Sequence, residues 1–162
     1  MDTTDQEDPV ESAILQWKQE KPDLDFSYML LTGRLQRVHA AWKQLAKEYL
    51  ASYEINLPEF DVIATLRRSG PPYALSPTSL YRSSMLSSGA MTNRIDRIEA
   101  LGLVERQKDP KDRRSLLVKL TDAGLDLTEK MLPGYVKKMD LLSESLSKED
   151  KKRLSDLLKK LQ

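Results

Sequence analysis

The 162-residue sequence predicts a mainly α-helical fold with a small two- to three-stranded wing. Three observations predict it. Apolar residues recur at helical spacing over most of the chain, and two short helical stretches are separated by a joint of only a few residues around Leu86 and Ser87. Two alternating stretches, "LVERQ" and "SLLVKL", follow at once, with the polar turn "KDPKDRR" between them. A helix pair with so short a joint, followed by a two-stranded ribbon, makes a winged helix-turn-helix.

The elements can be justified in order. Pro9 opens a short helix with Val10, Ile14 and Trp17 on one stripe, and Lys21-Pro22 closes it. A long helix is expected from about Phe26 to Ser52 and a third from about Pro58 to Arg68, after which "SGPPY" breaks the chain. Ser76 is placed as the N-cap of the next helix, with Pro77 at its first position, where a missing N–H costs nothing. The stretch "SSGAMTNRIDRIEALG" is a helix capped by its serines and stopped by Gly102. Thr121 caps another long helix, expected to bend or break near Pro133, and "SKED" from Ser147 resembles a capping box opening the last one. The domain reading is an acidic, disordered tail over 1–8, N-terminal helices over 9–55, the winged region over 56–121 and C-terminal helices over 122–162.

Composition narrows the function. No run of roughly 18 apolar residues could cross a bilayer, and the acidic start "MDTTDQEDPVESAI" lacks the basic-then-apolar order of a secretory signal, so a cytoplasmic protein without a membrane partner is expected. Zero cysteines exclude a disulfide framework and a cysteine redox switch. The single histidine, His39, makes a histidine-ligated metal site improbable and reads as an ordinary helix-surface or interface residue, so neither metal nor cofactor is expected. A hydrolase or transferase needs a nucleophile and a base, yet His39 has no evident partner in the sequence and no glycine-rich phosphate loop is present. The net charge of +1 hides an asymmetry. From Ser76 to Thr121 there are nine basic residues against five acidic ones, whereas the first 24 residues carry seven acids against two lysines. A polyanion would prefer the middle of the chain.

Successive helical residues step by about 100°, which separates the faces of the second helix of the pair. Met91, Ile95, Ile98 and Leu101 cluster as the core face. Gly89, Asn93 and Asp96 fall opposite, flanked by Thr92 and Arg97. Small residues at the N-terminal end let this helix approach DNA closely, amide, hydroxyl and guanidinium groups can read base edges in the major groove, and the capped N-terminus can hold a phosphate. A ribbon tipped by Lys111, Asp112, Arg113 and Arg114 suits a minor groove, where a planar guanidinium fits and Asp112 can orient an arginine. The candidate DNA contacts are Ser76 and Thr78, Ser87, Ser88 and Gly89, Thr92, Asn93 and Arg97, and Asp112, Arg113 and Arg114. The bland alternatives are a solvated polar helix face and a solvated hairpin turn.

"DRRSLLVKLTDAG", preceded by "SSGAMTNRIDRIEALGLVERQKDP", resembles the MarR family of dimeric winged-helix transcriptional regulators, over Asn56 to the C-terminus. The resemblance implies a homodimer built from the N- and C-terminal helices, recognition by the helix from about Ser87 to Leu101, and Asp112 and Arg114 as paired wing residues. A shared core is also the physical expectation, because a monomer of this shape cannot bury its long apolar terminal helices. Trp17, "EKPDLD", "GRLQR", "EFDVIATLRRSGPP" and "MTNRIDR" look like the urate-responsive branch, whose members add an N-terminal helix. The ligand-responsive positions of that branch fall on Trp17, Asp61, Arg94 and Arg106.

The angles agree with an inward role. Arg94 lies roughly 45° from the centre of the core face, so it points back toward the protein and needs an acceptor. Asp61 lies beside Leu57, Ala64 and Thr65, and Arg106 shares a strand face with Val104. Two arginines and a carboxylate could hold a planar anion, with Trp17 stacking over it; a structural salt-bridge set, with Trp17 pinning the extra helix, is the alternative. The expected function is a ligand-responsive repressor of a pseudo-palindromic operator in double-stranded DNA, released by a small anionic or phenolic effector such as urate. A winged-helix protein-interaction module is the competing class.

Overall fold

The computed structural model describes residues 8–84, 91–110 and 115–161. It is mostly helical with one small antiparallel sheet, in the order α1 (Pro9–Glu20), α2 (Met29–Ala51), α3 (Leu57–Arg68), β1 (Ala74–Leu75), α4 (Pro77–Ser83), α5 (Met91–Ala100), β2 (Val104–Lys108), β3 (Leu116–Leu120), α6 (Asp122–Asp140) and α7 (Lys148–Lys159). The chain divides into two units, Met1–Gln44 and Leu45–Gln162.

In the N-terminal unit Asp8, placed by the sequence in a disordered tail, instead caps α1. Its carboxylate accepts the Val10 amide at 2.9 Å and Pro9 takes the first helical position, where no N–H is needed. The same carboxylate and that of Glu11 both accept from Arg34 of α2, at 2.7 and 2.6 Å. Val10 is buried in this unit, and Trp17 stacks on Phe26 with ring centroids 5.1 Å apart.

The C-terminal unit carries the core. Leu50, Val62, Ile63, Leu66, Leu80, Ile98 and Met131 are fully buried, drawn from α2, α3, α4, α5 and α6, with Val104, Val118 and Leu120 closing the cluster from the sheet. The strand order is β1-β3-β2. Register runs from Val104 opposite Leu120 to Lys108 opposite Leu116, and β1 adds Ala74 opposite Lys119. The third strand is too short to alternate visibly in the sequence. It forms because "SGPPY" folds into a turn, closed by Tyr73 N–H donating to Gly70 O at 2.8 Å, and delivers Ala74 to the free edge of β3.

Further expectations are corrected. Helix α6 runs unbroken through Pro133, and the interruption comes later, where a short 3-10 turn at Leu141–Ser143 separates it from α7. The ring is accommodated because its neighbours are anchored: Met131 is fully buried, its carbonyl accepts from Tyr49 Oη at 2.8 Å, and Tyr135 packs on Phe60 with ring centroids 4.3 Å apart. Leu101, assigned to the core face of α5, is 46% exposed, because α5 ends at Ala100 and Gly102 takes φ +72°, turning the chain away. Ser147 does cap α7, but its hydroxyl pairs with the amide and carboxylate of Asp150 alone.

Candidate nucleic-acid interface

The helix pair is built by local rules. Ser76 turns its hydroxyl onto the Ser79 amide at 3.1 Å, Pro77 follows at the first position, and fully buried Leu80 pins α4 into the core. Thr78 lies exposed on the opposite side. The Ser76 hydroxyl is committed to its cap, and Thr78 is the residue of this pair left facing solvent.

Along α5, Met91, Ile95 and Ile98 are buried, while Thr92, Asn93, Asp96 and Arg97 are exposed and Arg94 and Glu99 are half-buried. The angular separation read from the sequence holds over these residues. The helix closes with two interlocked bonds, Gly102 N–H to Glu99 O and Leu103 N–H to Ile98 O, both 2.9 Å, around a left-handed glycine. The chain therefore leaves α5 directly into β2. Ser87, Ser88 and Gly89, and the wing-tip residues Asp112, Arg113 and Arg114, lie outside the described residues. The ribbon that carries the tip is in place: β2 and β3 pair along their length, and Asp109 N–H donates to Ser115 O at 3.0 Å beyond the last ladder rung.

The polar groups on this face are organised by three carboxylates, of which the sequence reading placed Asp96 on the outward face and did not single out Glu99 or Glu59. Arg106 of β2 donates its amide to Glu99 Oε1 at 3.0 Å, and its guanidinium pairs with Glu99 and with Asp96. The hydrogen bond to Asp96, and then the charge of Glu99, hold Arg106 more firmly charged than a free arginine. Arg97 Nε pairs with Glu59 Oε1 at 2.6 Å. Glu59 is only 2% exposed and belongs to a capping box: its carboxylate accepts the Asn56 amide at 2.9 Å, while its own amide donates to the Asn56 side chain at 3.0 Å. The signal was legible as Asn56-x-x-Glu59 just before an apolar run. A start at Pro58 passes over it.

The four residues assigned to a ligand are distributed as follows. Asp61 is 8% exposed on α3, and after burial itself its charge is the cause that raises the Tyr135 phenol above its usual range. Arg94 is half-buried on α5. Arg106 is held by the two α5 carboxylates. Trp17 belongs to the N-terminal unit, against Phe26. Its relation to the other three is an expectation from the sequence.

The family model described as "MarR family" matches residues 55–116, from the cap of α3 to the start of β3. The chain is 37% identical over 150 residues to the HTH-type transcriptional regulator PecS of Dickeya dadantii, covering 92% of this chain and 90% of that protein. It is 31% identical over 139 residues to the multiple antibiotic resistance protein MarR of Escherichia coli, covering 84% of this chain and 94% of that one. The chain belongs to the MarR family. A crystal structure of a mutant E. coli MarR complexed with operator DNA superposes with a TM-score of 0.73 at 29% identity, covering 85% of this chain and 99% of that one. The winged helix of this MarR-family chain is thus of the kind that, in that relative, is seen with operator DNA. MarR-family proteins are DNA-binding transcriptional regulators. Among the described residues no helix is long and apolar enough to cross a membrane.

Proposed function

We propose that the protein is a homodimeric, ligand-responsive repressor that binds a pseudo-palindromic operator and is released from it by a small anionic or phenolic effector such as urate. The observation that carries the DNA part is the face of α5, which turns Thr92 and Asn93 to solvent at its N-terminal end while Met91, Ile95 and Ile98 bury the opposite side. Those two side chains suit base edges in the major groove, and Arg114 of the ribbon suits the minor groove. Two such helices in a dimer call for half-sites about one helical turn apart, roughly 10 bp.

The ligand part is supported by Arg106. An anion that recruits this guanidinium must compete with Asp96 and Glu99, which both lie on α5, so capture of the anion loosens the recognition helix from the wing strand. Asp61 adds a second coupling, because negative charge brought near a buried carboxylate is relieved by drawing arginines inward or by moving α3. Linkage requires the anion to prefer the DNA-free form: a tenfold loss of DNA affinity corresponds to about 1.4 kcal/mol of differential binding.

The test titrates wild type and Arg114→Ala onto matched and scrambled duplexes, then repeats the wild-type titration with urate, xanthine and salicylate. Severe weakening by Arg114→Ala and ligand-driven release are expected. Asp61→Asn should bind DNA yet lose much of the release, with Trp17 fluorescence, corrected by Trp17→Phe, reporting ligand occupancy. Unchanged DNA binding by the Arg114 variant removes the wing from the mechanism, and no response to any of the three ligands removes the anion site.

A further inference from the structure

Arg97 sits on the solvent side of α5, where the spacing of Asn93 and Arg97 makes both look like readers of bases. Its side chain is 61% exposed, yet its Nε is only 2.6 Å from a carboxylate oxygen of Glu59, which is 2% exposed. Glu59 is a charge out of water, and such a charge is tolerated only when its oxygens are fully occupied. The occupants come from two elements. The Asn56 amide and the Asn56 side-chain nitrogen donate at 2.9 and 2.8 Å from the start of α3, and Arg97 supplies the compensating positive charge from α5. Glu59 in turn is immovable, because its capping box closes the first turn of α3, and Phe60, Val62 and Ile63 lock that helix into the core.

We infer that Arg97 and Glu59 form a strut that sets the recognition helix on the cap of α3, so that Arg97 positions the helix for DNA instead of reading a base. The strut acts at the C-terminal half of α5, while Arg106 holds Asp96 and Glu99 from β2. The recognition helix is therefore tied on both flanks, and the groups left free to read the major groove lie one turn earlier, at Thr92 and Asn93. A planar guanidinium suits this task better than an ammonium, because it can serve a fixed carboxylate through Nε while its remaining edge stays hydrated. The inference rests on the DNA-binding reading and adds to it which arginine supplies register and not sequence information.

The experiment uses full-length protein and duplexes that wild type selects from a randomised pool. Affinity, preference at each base pair and salt dependence are measured for wild type, Arg97→Ala, Arg97→Lys, Glu59→Gln and the double Arg97→Ala/Glu59→Gln variant, at a temperature where circular dichroism shows each fully folded. A residue serving only global stability leaves affinity unmoved under that condition. The strut requires Arg97→Ala and Glu59→Gln each to weaken binding about tenfold, with the preference profile and salt slope of wild type, and the double variant to be no weaker than the weaker single one. Arg97→Lys should recover part of the loss. Three results overturn it: Arg97→Ala relaxing preference at one base pair, Arg97→Ala lowering the salt slope by about one phosphate contact, or the two losses adding. Wild type that selects no duplex overturns the DNA-binding reading itself, and the strut with it.

Discussion

Tyr49 shows how a single hydroxyl ties the end of a long helix to the core. Its Oη donates to the Met131 carbonyl at 2.8 Å and lies 3.3 Å from the Tyr53 hydroxyl. Loss of solvent, with the Tyr53 contact adding to it, pushes the Tyr49 phenol up to about 12. The folded value lies above the ordinary one of about 10, so the stabilisation is whole below pH ~10 and is lost as pH rises toward the folded value. Urea unfolding between pH 9 and 11.5 should therefore show stability falling with pH, and Tyr49→Phe should make the fall shallower. An identical slope in the variant would remove Tyr49 as the titrating group. At neutral pH the same substitution should cost about 1 kcal/mol for the lost hydrogen bond. Asn93, exposed on the reading face of α5, belongs to the same scale: Asn93→Ala should relax preference at one base pair by about 1–3 kcal/mol without changing the salt slope. Competition assays with single-base variants of the selected duplex check it.

At the scale of elements, the junction between the wing and α6 depends on one missing side chain. Thr121 caps α6 by accepting the Gly124 amide at 3.0 Å, while its hydroxyl donates to the Gly102 carbonyl at 2.7 Å and its own amide to the Leu103 carbonyl at 3.1 Å. The first turn of α6 is thereby pressed onto the end of α5, and a Cβ at Gly124 would overlap the Leu103 carbonyl oxygen. Backbone on both sides leaves nothing flexible to yield. Gly124→Ala should destabilise the fold by about 3 kcal/mol or more, despite the better helix propensity of alanine, as thermal unfolding would show. A gain in melting temperature would mean that the junction is looser than its geometry. The cap of α3 is a milder case. Asn56→Ala removes one acceptor and one donor around Glu59, with a cost of about 1–2 kcal/mol expected from equilibrium unfolding.

At the scale of the whole molecule, exposed apolar side chains among the described residues gather in the N- and C-terminal segments. Val136, Leu141, Leu142, Leu146, Leu154, Leu157 and Leu161 of the C-terminal segment are all exposed, and α7 has no buried residue. In the N-terminal unit Leu15, Leu24, Leu30 and Leu31 are likewise exposed. Apolar surface of this extent in water favours association, which supports the homodimer proposed above. Sedimentation should give twice the 18.5 kDa chain mass, and Leu157→Lys should shift the protein toward monomer while weakening operator binding, since a monomer engages one half-site. A monomeric wild type with full operator affinity would exclude the dimer from DNA recognition.

By itself the sequence determined what depends on near neighbours along the chain. The caps at Ser76 and Thr121, the stop at Gly102, the buried stripe of α5 and the pairing of "LVERQ" with "SLLVKL" follow from propensity, periodicity and turn chemistry, all local. The winged architecture and its family were legible for that reason. Of the bend or break expected near Pro133 the break does not occur, because packing of Met131 and Tyr135 on the core carries α6 through a residue at which local rules end a helix. The arginines mark the same boundary. That Arg94 needed an acceptor could be read from its angle and that Arg106 faced inward from its strand face, whereas Arg97 read as an outward base contact. Which carboxylates hold Arg97 and Arg106 was decided only by the tertiary structure, which brings Glu59 from 38 positions upstream to Arg97 and sets Arg106 against Asp96 and Glu99. Charge pairing at contact distance depends on position in space, and helical phase fixes direction but not neighbours across the fold.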